Sequence, residues 1–125
     1  MSPRGDSRAA GQIWETRAAA YLEANGLRVI ARSWTCRLGE LDIVCEDSDA
    51  LVVVEVRARG GRARSSAAES IGPHKRKRIV QATRHFLMRH PDRASQPIRF
   101  DVVAIDGIDT DSPAFRWIRH AFDTA

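Results

Sequence analysis

Two β-rich runs decide the fold: Glu40-Leu41-Asp42-Ile43-Val44-Cys45 and Leu51-Val52-Val53-Val54-Glu55-Val56-Arg57-Ala58, separated by Glu46-Asp47-Ser48-Asp49-Ala50. Apolar residues, several of them β-branched, make up most of both runs, and polar turn formers fill the gap, so the segment reads as a hairpin. Side chains on a strand alternate between faces. Val53, Glu55 and Arg57 therefore share one face, and Val52, Val54 and Val56 the other. Glu40 and Asp42 likewise share a face. If Asp47 and Ala50 flank a tight Ser48-Asp49 loop, Asp42 stands opposite Glu55, and Glu40 opposite Arg57. Opposed like charges cost about 0.2–1 kcal/mol on an exposed face and more when buried, so this pair calls for a neutralising partner. One solution is a salt-bridged hairpin with Glu55 paired to Arg57 or Arg37. Another is a divalent cation, since Mg²⁺ takes oxygen ligands from one or two carboxylates, with waters and phosphate oxygens completing its shell.

Outward from the hairpin, Trp14, Ala18, Tyr21 and Leu22 repeat at helical spacing, predicting a helix over Ala9–Ala24 that stops at Asn25-Gly26. Glu15 lies on the neighbouring stripe, at the edge of the core. Residues 1–8 read as a flexible N-terminus and 9–125 as one domain. Leu27 to Trp34 alternates as a strand, and Arg37-Leu38-Gly39 marks a turn. Pro73 opens a second helix that His90-Pro91 closes after Arg89. Ile98 to Ile105 is a further strand, and Arg116 to Phe122 a short strand or a last helical turn. The order αβββαβ(β) predicts an α/β fold with a central sheet flanked by helices.

The 125 residues suffice for one core. The longest purely apolar run, Leu51 to Val54, is too short to span a bilayer, and the N-terminus has no apolar segment of a signal peptide, so a cytoplasmic location and no membrane partner are expected. Cys36 and Cys45 form no Cys-x-x-Cys pair and read as reduced thiols. His90 reads as a helix C-terminal residue, and His74, His85 and His120 as surface.

Charge is distributed unevenly. Residues 57–93 hold 11 of the 20 Lys and Arg residues but only two acids, Glu69 and Asp92, a local balance of +9 in a chain whose net charge is +4. Such a block is the footprint of a polyanion binder. Lys75, Arg76, Lys77 and Arg78 fall in the first turns of the second helix, where the dipole disfavours cations unless an anion is present. A DNA backbone supplies that anion, with Arg62 and Arg64 extending the contact from the preceding loop. Exposed aromatics that could stack bases are few, so duplex or junction shape should matter more than base identity.

With Glu15, Ala20-Tyr21-Leu22, Gly39-Glu40-Leu41-Asp42-Ile43-Val44, Val53-Val54-Glu55-Val56-Arg57-Ala58-Arg59, Lys75, Arg99-Phe100-Asp101-Val102-Val103 and Ala121-Phe122, the chain resembles the YraN-like family of bacterial proteins over about Gly11 to Phe122. That family is similar to the restriction-endonuclease-like PD-(D/E)xK superfamily, in particular to archaeal Holliday junction resolvases. The resemblance implies a restriction-endonuclease-like core, a Mg²⁺ or Mn²⁺ cofactor and metal-dependent cleavage of DNA, with branched or junction substrates. Asp42 and Glu55 match the two motif acids, Arg57 stands at the lysine position, and Glu15 matches the extra carboxylate of the first helix. Asp42, Glu55 and Glu15 are thus the expected metal ligands, and Arg57 completes the expected catalytic set. The two-fold symmetry of junctions implies a homodimer. Arginine cannot serve as a base, so the second reading is a nucleic-acid-binding module with a degenerate nuclease site.

Overall fold

The computed structural model describes residues 3–61 and 67–124. Two helices and five strands follow one another as α1 (Pro3–Ala24), β1 (Arg28–Cys36), β2 (Gly39–Asp47), β3 (Ala50–Arg59), α2 (Pro73–Arg89), β4 (Ile98–Asp106) and β5 (Ala114–Phe122), with a single 3₁₀ turn at Pro91–Arg93 before β4. α1 starts at Pro3, earlier than the expected Ala9. Proline is suited to a first helical position, where its missing N–H has no intrahelical partner to lose. Residues 3–8, expected to be loose, are therefore helical. The C-terminal segment is a strand, not a helical turn. Arg62 and Arg64 lie outside the described residues.

The strands form one mixed sheet in the order β1-β2-β3-β4-β5. Neighbours are antiparallel except β3 and β4, which run parallel, with α2 as the crossover between them. Each face carries one helix. Ala18, Ala19 and Leu22 of α1 pack on Ile43, Cys45, Val52, Val54, Val103 and Ile105. Ile79, Val80, Ala82 and Phe86 of α2 pack with Leu41, Val44, Val53, Phe100 and Val102 on the other face. Burial on both faces explains why β3 reads as a near-continuous apolar run. The β2–β3 hairpin closes at Asp47↔Ala50 and keeps the expected register through Ile43↔Val54. Ser48 takes φ 56°, as the first residue of a tight primed turn requires.

Two irregularities in the β1–β2 pairing break the expected alternation. A register shift between Val29 and Ala31 lets both Ile30 and Ala31 pack on the α2 side. Farther along, Arg32↔Ile43 and Trp34↔Leu41 pair, but Ser33 and Asp42 between them do not. Leu41 belongs to the α2 face and Ile43 to the α1 face, although they are two residues apart. The chain turns over at Asp42. Opposite it, Ser33 adopts φ 49°, a left-handed conformation that a non-glycine residue occupies only when its surroundings hold it there.

β4 and β5 are joined by a buried polar cluster. Asp101 is fully buried and accepts hydrogen bonds from the Arg99 guanidinium (2.9 Å), the Trp117 indole N–H (2.8 Å) and the His120 backbone N–H (3.1 Å). Arg99 also reaches Asp47 at 3.0 Å, tying β4 to the end of β2. No described buried side-chain polar atom lacks a partner. Among the described residues, no helix is long and apolar enough to cross a membrane.

Candidate active site

The turnover at Asp42 creates the site. Beyond Ile43↔Val54 the β2–β3 ladder stops, and the Asp42 carboxylate takes over its role. Its Oδ2 accepts the Val56 backbone N–H at 2.9 Å. Asp42 is thereby aimed into the gap between diverging strands, not squarely onto one face. A concavity opens on each side of it. One, of about 830 Å³, is lined by Glu15, Ser33, Glu40, Asp42 and Arg57. The other, of about 330 Å³, is lined by Glu40, Asp42, Glu55, Lys75 and Arg78. Glu40 and Asp42 border both.

Three carboxylates meet on the α1 side. Ligand oxygens of Glu15, Glu40 and Asp42 all lie within 4.8 Å of one another. Glu15 is buried, and its Oε1 accepts the Ser33 hydroxyl at 2.6 Å, with the Arg32 Nε at 3.5 Å. The left-handed Ser33 is thus what turns a hydroxyl toward the helix acid. Hard oxygen donors from a helix and a strand, open to solvent on one side, suit Mg²⁺ or Mn²⁺, which keep several waters.

Of the expected ligands, Glu15 and Asp42 are brought together, and Glu40 joins them. Glu55 lies on the opposite side of Asp42, outside this cluster of ligand atoms. Glu40 was expected opposite Arg57; it pairs instead with Thr35 of β1, so its carboxylate belongs to the acid cluster. The Gly39-Glu40-Leu41-Asp42 spacing carried that signal, because two acids at i and i+2 can meet a third from above. Arg57 takes neither expected acid partner. Its Nε and a terminal nitrogen donate to Ser70 Oγ (3.1 Å) and Ser70 O (2.8 Å).

Glu55 is 5% exposed and hydrogen-bonded to Asp42. Its cation is not Arg57 or Arg37 but Lys75, whose Nζ stands 3.5 Å from Oε1 and remains half exposed. Burial, then the hydrogen bond to Asp42 and the charge of that carboxylate, push the Glu55 carboxyl up to about 9, outweighing the pull of Lys75 and Arg57. At neutral pH the Asp42–Glu55 pair therefore retains a proton. Because the folded-state value lies above the ordinary 4.5, the folded chain holds a proton that the unfolded chain releases between these limits. Stability from this group is greatest at the acid end and is lost as pH rises toward 9. Glu55→Gln should remove that slope. In chelator-treated buffer, the fall in Tm from pH 5 to pH 9 is expected to be about 5–10 °C larger for the wild type than for the variant. Equal slopes in thermal melts would show that Glu55 titrates normally.

The remaining members of the basic block do not act together. Lys75 and Arg78 face the carboxylates. Arg76 turns the other way, donating to Ile71 O (2.8 Å) and Ala68 O (3.2 Å), where it stabilises the entry to α2. Lys77 lines a separate groove with Arg84 and Asp123. The start of α2 has Gly72 as N-cap, no side-chain cap and no acid in its first turn, so the cations there face an uncompensated helix terminus.

The family model described as Uncharacterised protein family UPF0102 matches residues 14–105, which contain Glu15, Glu40, Asp42, Glu55 and Lys75. The chain belongs to UPF0102. A UPF0102 protein of Pseudomonas paraeruginosa is 44% identical over 124 residues, covering 98% of this chain and 99% of the relative. One of Pseudomonas putida is 41% identical over 121 residues, covering 97% and 98%. One of Alcanivorax borkumensis is 38% identical over 112 residues, covering 90% of each chain. In this UPF0102 chain the acids come from three elements: Glu15 from α1, Glu40 and Asp42 from β2, and Glu55 from β3. No two neighbouring segments alone would assemble them.

Proposed function

We propose that this protein is a Mg²⁺- or Mn²⁺-dependent DNA endonuclease with a restriction-endonuclease-like core of the PD-(D/E)xK type, acting on branched or junction DNA. The observation that supports this most is the convergence of Glu15, Glu40 and Asp42 within 4.8 Å on a strained break in the sheet, with the Glu55–Lys75 pair directly behind. A divalent ion held by Glu15, Glu40 and Asp42 would act as a Lewis acid on phosphate oxygen and lower the pKa of a bound water. The protein's own groups prepare that site. Ser33 fixes Glu15, and the Val56 N–H fixes Asp42, so the ligands need little reorganisation. Lys75 stands 3.5 Å from Glu55 Oε1 while keeping half of its surface in solvent, so its ammonium charge is available where a phosphate would arrive. DNA is held through its backbone, by Lys75 and Arg78 beside the site and by Lys77 on the separate groove of α2. A homodimer would match the two-fold symmetry of a junction.

The decisive experiment incubates the pure protein with Mn²⁺ and labelled branched and linear duplexes. Cleavage of branched DNA that disappears with chelator supports the reading, and its absence refutes it. The engagement of Arg57 by Ser70 favours a second reading, a nucleic-acid-binding module whose site no longer cuts. The two are separated by Lys75. If the ammonium needed for turnover comes from α2, Lys75→Met should slow cleavage about 100-fold and change duplex affinity only a few-fold, whereas Arg57→Met should slow it less than about 10-fold. Single-turnover rates check this directly, and a larger loss for Arg57→Met would return the role to β3.

A further inference from the structure

We infer that the hollow between the β1–β2 turn and the C-terminal half of α2 binds unpaired nucleotides of a single-stranded tail leaving the carboxylate site. The inference rests on the nuclease reading for its class of ligand. The hollow, about 580 Å³, is lined by Trp34, Cys36, Arg37, Leu38, His85 and Arg89 among others, and no acid is among the described residues around it.

Its floor and rim differ in character. Trp34 is half-buried, and Phe86 meets it edge-on at 5.4 Å, which fixes the indole from below. Leu38, at the tip of the turn, is 38% exposed and adds apolar surface to the hollow. Arg37 and Arg89 stand exposed on the rim, and the half-buried His85 also lines the hollow. An apolar, aromatic floor under a cationic rim is the pattern that receives a base on its face and a phosphate at its edge. A duplex keeps its bases stacked and paired, so only unpaired nucleotides can present a face to the indole.

The platform is firm. Arg78 donates to Leu38 O at 3.3 Å, and a Cβ added to Gly39 would come within 3.1 Å of Arg78 O, so turn and helix are in close contact. It also adjoins the carboxylates. Thr35 borders both this hollow and the one holding Glu15 and Asp42, while Gly39 and Arg78 border the one holding Glu55. Arg78, His85 and Arg89 repeat along α2 at helical spacing, so two arginines and an imidazole line the face that runs from the site to the hollow. Lys77 and Arg84 lie around a different groove, which has no aromatic lining. That groove fits backbone contact alone.

The test measures binding, not cutting. Anisotropy with the Asp42→Asn protein in chelator-treated buffer compares a blunt labelled duplex with the same duplex carrying a tail of about ten thymidines. The tail should improve affinity about tenfold, and a tail of abasic residues should recover little of that gain. Arg37→Glu with Arg89→Glu should abolish the gain while leaving blunt-duplex affinity within about twofold. No gain from the tail, a gain that survives the double substitution, equal losses on both probes, or an abasic tail that binds as well as thymidine would each overturn the inference. Its failure is distinct from failure of the nuclease reading. The latter is read separately, as Mn²⁺-dependent cleavage by the wild-type chain.

Discussion

Asp42→Asn is expected to lower the single-turnover cleavage rate by at least about 1,000-fold, the largest functional loss of any single substitution in this chain. The carboxylate has three tasks at once. It contributes an oxygen to the Glu15–Glu40 cluster, it hydrogen-bonds Glu55, and it accepts the Val56 N–H where the ladder has ended. The amide keeps the shape, and its oxygen can still accept from Val56, so the fold should survive. What it loses is the charge that draws a cation. Mn²⁺ binding, followed by calorimetry, should weaken along with the rate. Glu40→Gln should weaken it less, because Glu40 is exposed at the rim. Undiminished cleavage by Asp42→Asn would remove the carboxylate centre from the mechanism altogether.

The largest expected loss of stability lies far from that centre. Asp101→Ala should cost about 3–5 kcal/mol, because it leaves Arg99 a largely buried guanidinium with only Asp47 as partner and orphans the Trp117 and His120 N–H groups. For a domain of this size that corresponds to a fall in Tm of roughly 10–20 °C. Differential scanning calorimetry would measure it, and a shift under a few degrees would mean that β4 and β5 are held by their apolar contacts alone. Asp101→Asn, which retains shape and one acceptor, should fall between.

Much of the fold was legible because its signals are local. Pro73 and His90-Pro91 bracket α2 through the missing N–H of proline and the restriction on the residue before it, and the helix runs from Pro73 to Arg89. The polar stretch at Ser48-Asp49 sets the hairpin register, and strand periodicity places Glu55 with Val53 on the α2 side. The arrangement of the site was legible only in part. Nothing in the identity of Ser33 announces a left-handed backbone, and without it Asp42 would be assigned squarely to one face. A side chain as long as arginine or lysine can also choose among partners that sequence spacing does not rank. Arg57 goes to a serine on the α2 approach, and Glu55 receives its cation from a helix twenty residues on. Arg76 sits in the middle of a run that looks uniformly anion-binding, yet it is spent on backbone carbonyls. Glu15 was placed at the core edge from its stripe, and it is indeed buried; its meeting with Glu40 required the β1–β2 pairing, which only the assembled sheet provides.

The hydrogen bond from Val56 to Asp42 has a practical consequence. In an ordinary sheet an amide proton reports on its neighbouring strand. Here one amide reports on a side chain whose charge and ligation are the chemistry of interest. The resonance of Val56 in an ¹⁵N-labelled sample should therefore move with added diamagnetic Mg²⁺, while amides of the flanking ladder at Val53 and Val54 stay nearly still. The fold carries its own spectroscopic reporter, one bond away from the acid that matters, with no label to be introduced.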